Sequence, residues 1–357
     1  MQDFARYRDN LARHLIGISR DLQARVRESL EARGHRGLRP SFGALLSLVW
    51  DEGRPLGPIA AELGISNQAA SQLVNAVETA GYVARRTNPA DKRSRVVALT
   101  RRGRALVADG VEIILESDAE YAGLVGPVAY RRFTSALADL YQGLGLPTHP
   151  DPGLAARAIR SVGVLPLIAL RIERELMRAT GVRGHAGLKM SFGQVLPLIR
   201  PEGVRIHEVA RVQRVSRQAI HAISRELEAL GYLERRPDPR DRRGIVLALT
   251  RAGQALIRDS VAALDGLEST FRGILRGARL APLQQVARDL YHALHLEAEI
   301  FEAGSVLRSS ASATRARRAG GGHDIQQLAT RLRRRLGRGG AARLAALLEP
   351  SPRRIVT

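Results

Sequence analysis

The spacing of apolar and polar positions predicts a mainly helical chain with two short β-hairpins. One long helix is predicted over residues 3–33, because apolar side chains recur there at helical intervals. These apolar positions are Phe4, Tyr7, Leu11, Leu15, Ile18, Leu22 and Val26. Gly34 can take left-handed backbone angles and ends this helix. A short helix over residues 41–49 comes next, followed by one that ends at Leu63 and holds Pro58 in its first turn.

The following segment predicts a turn, a helix, a hairpin and two long helices. Gly64 makes the turn and Ser66 is the N-cap of the next helix. The inward face of that helix is predicted to carry Ala69, Leu73 and Val77. A hairpin covers residues 85–99, with residues 88–91 at its tip and residues 96–99 as the return strand. Thr100 caps a helix to about Tyr121, and a last helix covers residues 127–144. This order is that of a winged helix-turn-helix, which holds one helix against DNA.

The same order occurs twice, at a constant offset of 150 residues. Gly34-His35 matches Gly184-His185, Gly81-Tyr82 matches Gly231-Tyr232, and Leu99-Thr100-Arg101 matches Leu249-Thr250-Arg251. A period this long indicates a duplicated domain rather than a solenoid repeat. The predicted organisation is a first copy at residues 1–146, a Pro-rich linker at 147–152, a second copy at 153–303 and a tail at 304–357. The long helices of each copy are expected to bury their apolar stripes against the other copy.

The helix after each turn presents polar side chains suited to base edges in the major groove. In the first copy these are Ser66, Asn67, Gln68, Ser71, Gln72 and Asn75. In the second copy they are Ser216, Arg217, Gln218, His221 and Arg225. Because only Ser and Gln are shared at matching positions, the two helices are expected to read different bases. The alternative is that these side chains are merely solvated.

Both hairpins are rich in basic residues. The first contains Arg85, Arg86, Lys92, Arg93 and Arg95, and the second contains Arg235, Arg236, Arg240, Arg242 and Arg243. A basic ribbon beside a groove-binding helix is suited to phosphate contact or to a narrow minor groove.

Composition supports a polyanionic partner and argues against several other classes. The formal net charge is +21 and the sequence pI is about 11.4, which favours nucleic acid first and an acidic membrane surface second. The chain has no cysteine, so disulfides and thiolate metal sites are excluded. No signal peptide, membrane span or catalytic motif is found, so we expect a cytoplasmic, nucleoid-associated protein without enzymatic activity, metal or cofactor.

The tail from Gly304 contains twelve arginines against Asp324 and Glu349. Its first part is expected to be disordered, and residues 324–336 and 341–348 could form basic amphipathic helices. A non-specific grip on DNA, a membrane-surface helix and a solvated extension without a role all fit this composition.

These motifs resemble those of the MarR (multiple antibiotic resistance regulator) family of winged-helix transcription factors. The resemblance rests on Ser66-Asn67-Gln68-Ala69, Gly81-Tyr82-Val83, Asp91-Lys92-Arg93 and Leu99-Thr100-Arg101-Arg102-Gly103, with their counterparts 150 residues later, and it covers residues 1–297. Members of this family are usually homodimers on palindromic operators, so the chain looks like such a dimer fused into one polypeptide. It is therefore expected to be a monomeric pseudo-dimer.

The resemblance also implies roles for particular residues. The Asp-x-Arg element of the wing would correspond to Asp91 with Arg93 and to Asp241 with Arg243. We expect each Asp both to tie the hairpin together and to orient an Arg that touches DNA; the alternative is that the Asp only ties the hairpin by pairing with a neighbouring Arg. Small aromatic effectors of the family would bind near His14, His35, Phe42, His185 and Phe192. A histidine beside a helix end is alternatively a capping or surface residue. The second copy departs from the pattern at Arg214, which replaces the turn glycine and suggests a weaker DNA reader or an additional phosphate contact.

These observations predict a sequence-specific regulator of transcription, most simply a repressor, in which one chain occupies an operator with two unlike halves. An architectural DNA-binding protein with little sequence preference is the rival hypothesis. A third is a protein-interaction scaffold whose winged helices no longer bind DNA.

Overall fold

The computed structural model describes residues 2–49, 53–88, 91–147, 160–200, 202–212, 216–238 and 241–296. Residues 1–300 form one compact unit, which contains both copies. The predictions for Arg214, for Arg240, for most of the Pro-rich linker and for the tail at 304–357 lie outside the described residues.

The first copy forms seven helices and three strands within the described ranges. The helices are α1 (Gln2–Arg8), α2 (Leu11–Ala32), α3 (Phe42–Leu46), α4 (Leu56–Leu63), α5 (Asn67–Thr79), α6 (Arg101–Val125) and α7 (Pro127–Gly143). The strands are β1 (Arg54–Pro55), β2 (Val83–Thr87) and β3 (Arg95–Leu99).

The described part of the second copy repeats this order. Its helices are α8 (Leu165–Val182), α9 (Ile206–Val212), α10 (Arg217–Ala229), α11 (Arg251–Ile274) and α12 (Leu280–Ala293). Its strands are β4 (Leu233–Asp238) and β5 (Asp241–Leu249), and short 3₁₀ segments at Val162–Val164, Met190–Gln194 and Leu196–Leu198 complete it. Both wings are antiparallel hairpins.

Each wing pairs its two strands in antiparallel register, at the place of the predicted hairpin. In the first copy β3 lies between β1 and β2, and Val83 pairs with Leu99 while Thr87 pairs with Arg95. In the second copy Leu233 pairs with Leu249, and the register shifts between Pro237 and Asp238. Such an irregularity near a hairpin tip increases the local twist of the ribbon.

Local sequence rules explain the boundaries around the turn and the wing. Gly64 takes the left-handed conformation, with φ of 66°, and ends α4 at the predicted position. The hydroxyl of Ser66 accepts a hydrogen bond from the backbone N–H of Ala69, and that of Thr100 accepts one from Gly103. Both are side-chain caps that satisfy an otherwise unpaired N–H of the first helical turn.

Three predictions about the helices are wrong in detail. The predicted helix over residues 3–33 is broken at Asn10, whose backbone is extended. The Asn10 side chain accepts from Arg13 N–H and donates to the carbonyl oxygens of Arg6 and Tyr7, so it ends α1 and begins α2. The helix predicted over residues 41–49 covers only Phe42–Leu46, and the one predicted to end near Tyr121 continues to Val125.

The predicted inward face of α5 is confirmed at Val77 and is shifted by one position at its other two residues. The buried residues are Ala70, Val74 and Val77, whereas Ala69 and Leu73 are only half-buried. Apolar residues occur at both sets of helical spacing, so the sequence pattern alone does not decide the rotation of the helix about its axis.

The two copies pack on each other through their long helices, as the apolar stripes predict. α2 packs on α8, α7 packs on α12, and α1 reaches across to α11. One cluster of buried side chains joins the winged helix of the first copy to long helices of both copies, including Leu15, Leu137, Ile168 and Leu290. A second cluster fills the winged helix of the second copy, with Phe4 and Tyr7 of α1 packed against it.

An acidic side chain at the same position of each copy contacts the other copy. Asp118 accepts a hydrogen bond from the backbone N–H of Val162 (3.1 Å), which lies just before α8. Glu268, at the equivalent position of α11, pairs with Arg6 of α1 (3.4 Å). Each carboxylate thus contacts the N-terminal part of the other copy, although the two partners are not at equivalent positions of the repeat. The fold is therefore two tandem winged-helix domains arranged as an intramolecular pseudo-dimer.

Within the described residues, every helix is too short or too polar to cross a bilayer.

Candidate nucleic-acid interface

Each copy presents one helix whose polar face is left open, and we call α5 and α10 the recognition helices. Both contain 13 residues and begin after a capping serine, Ser66 or Ser216, whose hydroxyl accepts from a backbone N–H at 3.2 Å. In α10 the buried side chains are Ile220, Ser224 and Leu227, at the positions of the buried stripe in α5. The two helices are therefore held at the same rotation about their axes.

The open face of α5 carries amides. Asn67, Gln68, Gln72 and Asn75 are exposed, and among the described residues their side chains have no hydrogen-bond partner. Ser66 is also exposed, while Ser71 is half-buried and accepts a long hydrogen bond from Arg85 Nη2 at 3.4 Å. An amide donates and accepts side by side, so this face can pair with the edge of a base.

The open face of α10 is cationic. Ser216, Arg217, Gln218 and Arg225 are exposed and His221 is half-buried. Within the part of the chain that the structure describes, neither Arg217 nor Arg225 makes an ion pair or a side-chain hydrogen bond. Their guanidinium groups are thus available to an external acceptor.

Each recognition helix is tied to its own wing by an ion pair that the sequence analysis did not single out. Glu78, near the end of α5, accepts from the backbone N–H of Arg85 at 3.0 Å and pairs with the guanidinium of Arg85. Glu228 pairs with Arg235 Nε at 2.8 Å in the second copy. Arg85 and Arg235 are therefore already engaged and set the position of the wing. The recurrence of Glu and Arg at matching positions of the repeat was the available sequence signal.

The wing of the first copy keeps most of its predicted cations exposed. Arg86, Lys92, Arg93 and Arg95 are exposed, and Arg86 Nη2 lies 3.4 Å from the carbonyl oxygen of Leu99. Asp91 is exposed, and its carboxylate accepts from the backbone N–H of Arg93 at 3.0 Å. The acid therefore shapes the tip of the wing through the backbone, and contact of Arg93 with DNA stays a prediction.

The wing of the second copy is braced by acids. Arg205 donates to Asp238 at 2.6 Å and to Asp241 at 2.9 Å. Both hydrogen bonds raise the pKa of Arg205, and the bond to Asp238 has the larger effect. Arg236 pairs with Glu234. The equivalent of Arg205 in the first copy is Pro55, so this brace belongs to one copy. The side chains of Arg242 and Arg243 lie outside the described residues.

The residues predicted to line an effector site lie in three kinds of environment. His35 Nε2 is 2.7 Å from Asp109, and His185 Nε2 is 2.8 Å from Asp259, so each histidine joins the end of a first long helix to the next long helix of its own copy. His14 instead lies between the copies, with its ring centroid 4.8 Å from that of Tyr291. Phe42 and Phe192 are each 2% exposed and belong to the core. Binding of an effector stays a prediction.

Comparisons with known proteins agree with this geometry. The model of the MarR family matches residues 42–94 and 194–244, which include both recognition helices and most of both wings. No match was found among curated proteins.

Several solved structures resemble parts of the chain. CouR from Rhodococcus jostii RHA1, determined with bound p-coumaroyl-CoA, is 28% identical, with 29% of this chain and 76% of that chain covered and a TM-score of 0.24. A transcriptional regulator from Thermotoga maritima is 25% identical, with 31% of this chain and 76% of that chain covered and a TM-score of 0.26. A MarR-family transcriptional regulator from Rhodococcus sp. RHA1 is 24% identical, with 36% of this chain and 91% of that chain covered and a TM-score of 0.27.

Proposed function

We propose that this chain, with its two tandem MarR-like domains, is a sequence-specific regulator that binds double-stranded DNA as a single polypeptide. One chain supplies both recognition helices and occupies one complete operator. The operator consists of two unlike half-sites, and occupancy represses the adjacent promoter.

The observation that carries this proposal is the pair of open recognition faces on one pseudo-dimer. Both faces consist of exposed side chains that can donate or accept hydrogen bonds, and both helices are tied to a wing by a Glu–Arg ion pair. A two-fold arrangement of recognition helices is the geometry that reads two half-sites about one helical turn apart. The packing of α2 on α8 and of α7 on α12 supplies within one chain the contacts that a homodimer makes between subunits.

Phosphate contact is assigned to the exposed cations of the first wing, and the comparison with the second wing covers only its described side chains. Arg86, Lys92, Arg93 and Arg95 are exposed there, whereas Arg235 and Arg236 of the second wing are paired with glutamates. Cations that neutralise phosphates release condensed counterions, so binding should weaken as salt rises. These contacts position the protein and leave the choice of sequence to the recognition helices.

The test is selection of bound duplexes from a random DNA pool, with the full chain near physiological salt. We expect enrichment of one motif with two dissimilar halves. Sedimentation of the chain on that motif should give one polypeptide per duplex, and two per duplex would contradict the single-chain operator. Retention without enrichment, collapsing as salt rises, would favour the architectural protein, since binding through phosphates alone has that salt dependence.

A matched pair of variants controls the selection. Replacing Asn67 and Gln68 by Ala removes two exposed amides from α5, and Gln142→Ala removes an exposed amide from α7, away from both recognition helices. The first variant should lose enrichment of one half-site and the second should keep the whole motif. A reporter promoter that carries the motif should become more active with the first variant and stay repressed with the second variant. Unchanged or lower promoter activity with the first variant would contradict repression.

A further inference from the structure

We infer that the two recognition helices read different base pairs, α5 preferring adenine-containing and α10 preferring guanine-containing half-sites. The inference rests on the proposed function, because it assigns a base preference to each half of the same interface. The residues that set the difference are Asn67, Ser71, Gln72 and Asn75 in α5 and Arg217, His221 and Arg225 in α10.

The two recognition helices match in length, N-cap and buried positions, so the side chains that differ between them occupy equivalent places. Both helices have the same length, the same capping serine and a buried stripe at the same three positions. Both carry, as their second-to-last residue, a glutamate that binds an arginine of the wing. A difference in base preference must therefore arise from the side chains on the open face and not from a different presentation of the helix.

Three of the differences fall on a single stripe. Residues 67, 71 and 75 are each four positions apart and lie above one another on one face of a helix. Their counterparts are residues 217, 221 and 225, so the whole stripe changes from Asn, Ser and Asn to Arg, His and Arg. Gln72 is replaced by Ala222, which removes a further amide from the second copy.

The chemistry of each stripe matches a different base. The carboxamides of Asn67, Gln72 and Asn75 donate and accept together, which suits the N6 and N7 atoms of adenine. The guanidinium groups of Arg217 and Arg225 donate twice, which suits the two acceptors O6 and N7 of guanine. Both arginines are exposed and have no partner among the described residues, so no internal ion pair must be broken before they bind.

Arginines near a groove also bind phosphates, and the two roles have different consequences. Loss of a phosphate contact weakens binding to all sequences to a similar extent and reduces its salt dependence. Loss of a base contact weakens binding to the preferred sequence and relaxes discrimination at one position. The experiment must therefore measure preference as well as affinity.

The test exchanges the two faces within the full chain. The first variant combines Asn67→Arg, Ser71→His, Gln72→Ala and Asn75→Arg, and the second combines Arg217→Asn, His221→Ser, Ala222→Gln and Arg225→Asn. None of these positions belongs to the buried stripe of either helix, so both variants should keep the fold, which circular dichroism and thermal unfolding check. Selection from random DNA is then repeated for each variant.

The expected results are specific to the inference. The wild-type chain should select one half-site with conserved adenines and one with conserved guanines. The first variant should select an inverted repeat of the guanine-containing half, and the second an inverted repeat of the adenine-containing half. Changing a guanine read by Arg225 should weaken wild-type binding about 5- to 150-fold, and Arg225→Ala should reduce that discrimination to about twofold or less.

Other outcomes separate the two proposals. Unlike half-sites that do not change when the faces are exchanged would overturn the assignment of bases and leave the sequence-specific regulator intact. A uniform loss of affinity in the second variant, with the wild-type motif retained, would assign Arg217 and Arg225 to phosphates and overturn the inference. Failure of the wild-type chain to enrich any motif would instead contradict the proposed function itself.

Discussion

Arg276 and His295 hold left-handed backbone angles, with φ of 51° and 56°. At the equivalent positions of the first copy stand Gly126 and Gly145, with φ of 87° and 62°. A residue with a Cβ atom in this region brings that atom close to the following carbonyl, at a cost of about 1 kcal/mol. Both side chains are exposed, so packing does not compensate the strain.

Replacing Arg276 or His295 by Gly should therefore raise the free energy of unfolding by about 0.5–1 kcal/mol each, because glycine adopts left-handed backbone angles without this strain. The measurement is the urea midpoint of each variant against the wild type. Arg276→Ala keeps the Cβ atom and removes only the exposed side chain, so it should give no gain. A gain as large with Ala as with Gly would show that the backbone angle is not the cause.

At the scale of elements, the first long helix of the second copy supports the helix-turn-helix of the first. Arg174 of α8 donates through Nη1 to the carbonyl oxygen of Ala61 in α4, at 2.8 Å. Its side chain also lies against the turn, since a Cβ atom built on Gly64 would be 3.2 Å from Arg174 Cδ. The counterpart of Arg174 in the first copy is Ala24, which has no group to donate.

Arg174→Ala should loosen the turn before α5, because it removes a hydrogen bond worth about 1 kcal/mol and the packing against Gly64. Amide hydrogen exchange over residues 60–70 should accelerate about fivefold, as this free energy predicts for local opening. Arg178→Ala, on the same helix but paired with Glu175 at the surface, is the control and should leave exchange of that segment unchanged. Equal acceleration in both variants would mean that the effect comes from α8 as a whole.

At the scale of the whole molecule, His14 is a titratable group in the interface between the copies. It is 3% exposed and packs on Tyr291 of α12, with Nε2 2.8 Å from Asp9. Burial lowers the pKa of His14 to about 4, the neighbouring Asp9 opposes this, and Arg288 and His292 lower the pKa further. Val164 occupies the equivalent position of the second copy and is also buried.

The association of the copies should therefore weaken in mild acid. The folded-state pKa of His14 lies below its unfolded value of about 6.5. Above that pH the imidazole is neutral in both states, so its burial does not reduce the free energy of unfolding. Stability is lost as pH falls from about 6.5 to about 4, by about 1.4 kcal/mol per pH unit within that window. His14→Val should remove this part of the dependence, measured as unfolding free energy between pH 4.5 and 7.5. Parallel curves for the two proteins would contradict the assignment.

Local sequence rules determined the order of elements and most of their ends. Ser66, Gly64 and Thr100 act where they were predicted, because a cap or a left-handed turn is decided by hydrogen bonds over a few residues. The repeat at an offset of 150 residues determined that there are two such domains. Polar side chains at most of the predicted open-face positions of both recognition helices are exposed, while Ser71 and His221 are half-buried.

Contacts between distant residues were decided only by the tertiary structure. The brace between Arg205 and Asp241, the support of Ala61 by Arg174 and the pairing of His35 with Asp109 join residues 36, 113 and 74 positions apart. No local spacing rule selects one such partner among many arginines and acids. The burial of Ala70 and Val74 in α5, in place of Ala69 and Leu73, has the same origin. Where two patterns satisfy helical spacing equally, packing against neighbouring elements determines which side chains are buried and which remain exposed.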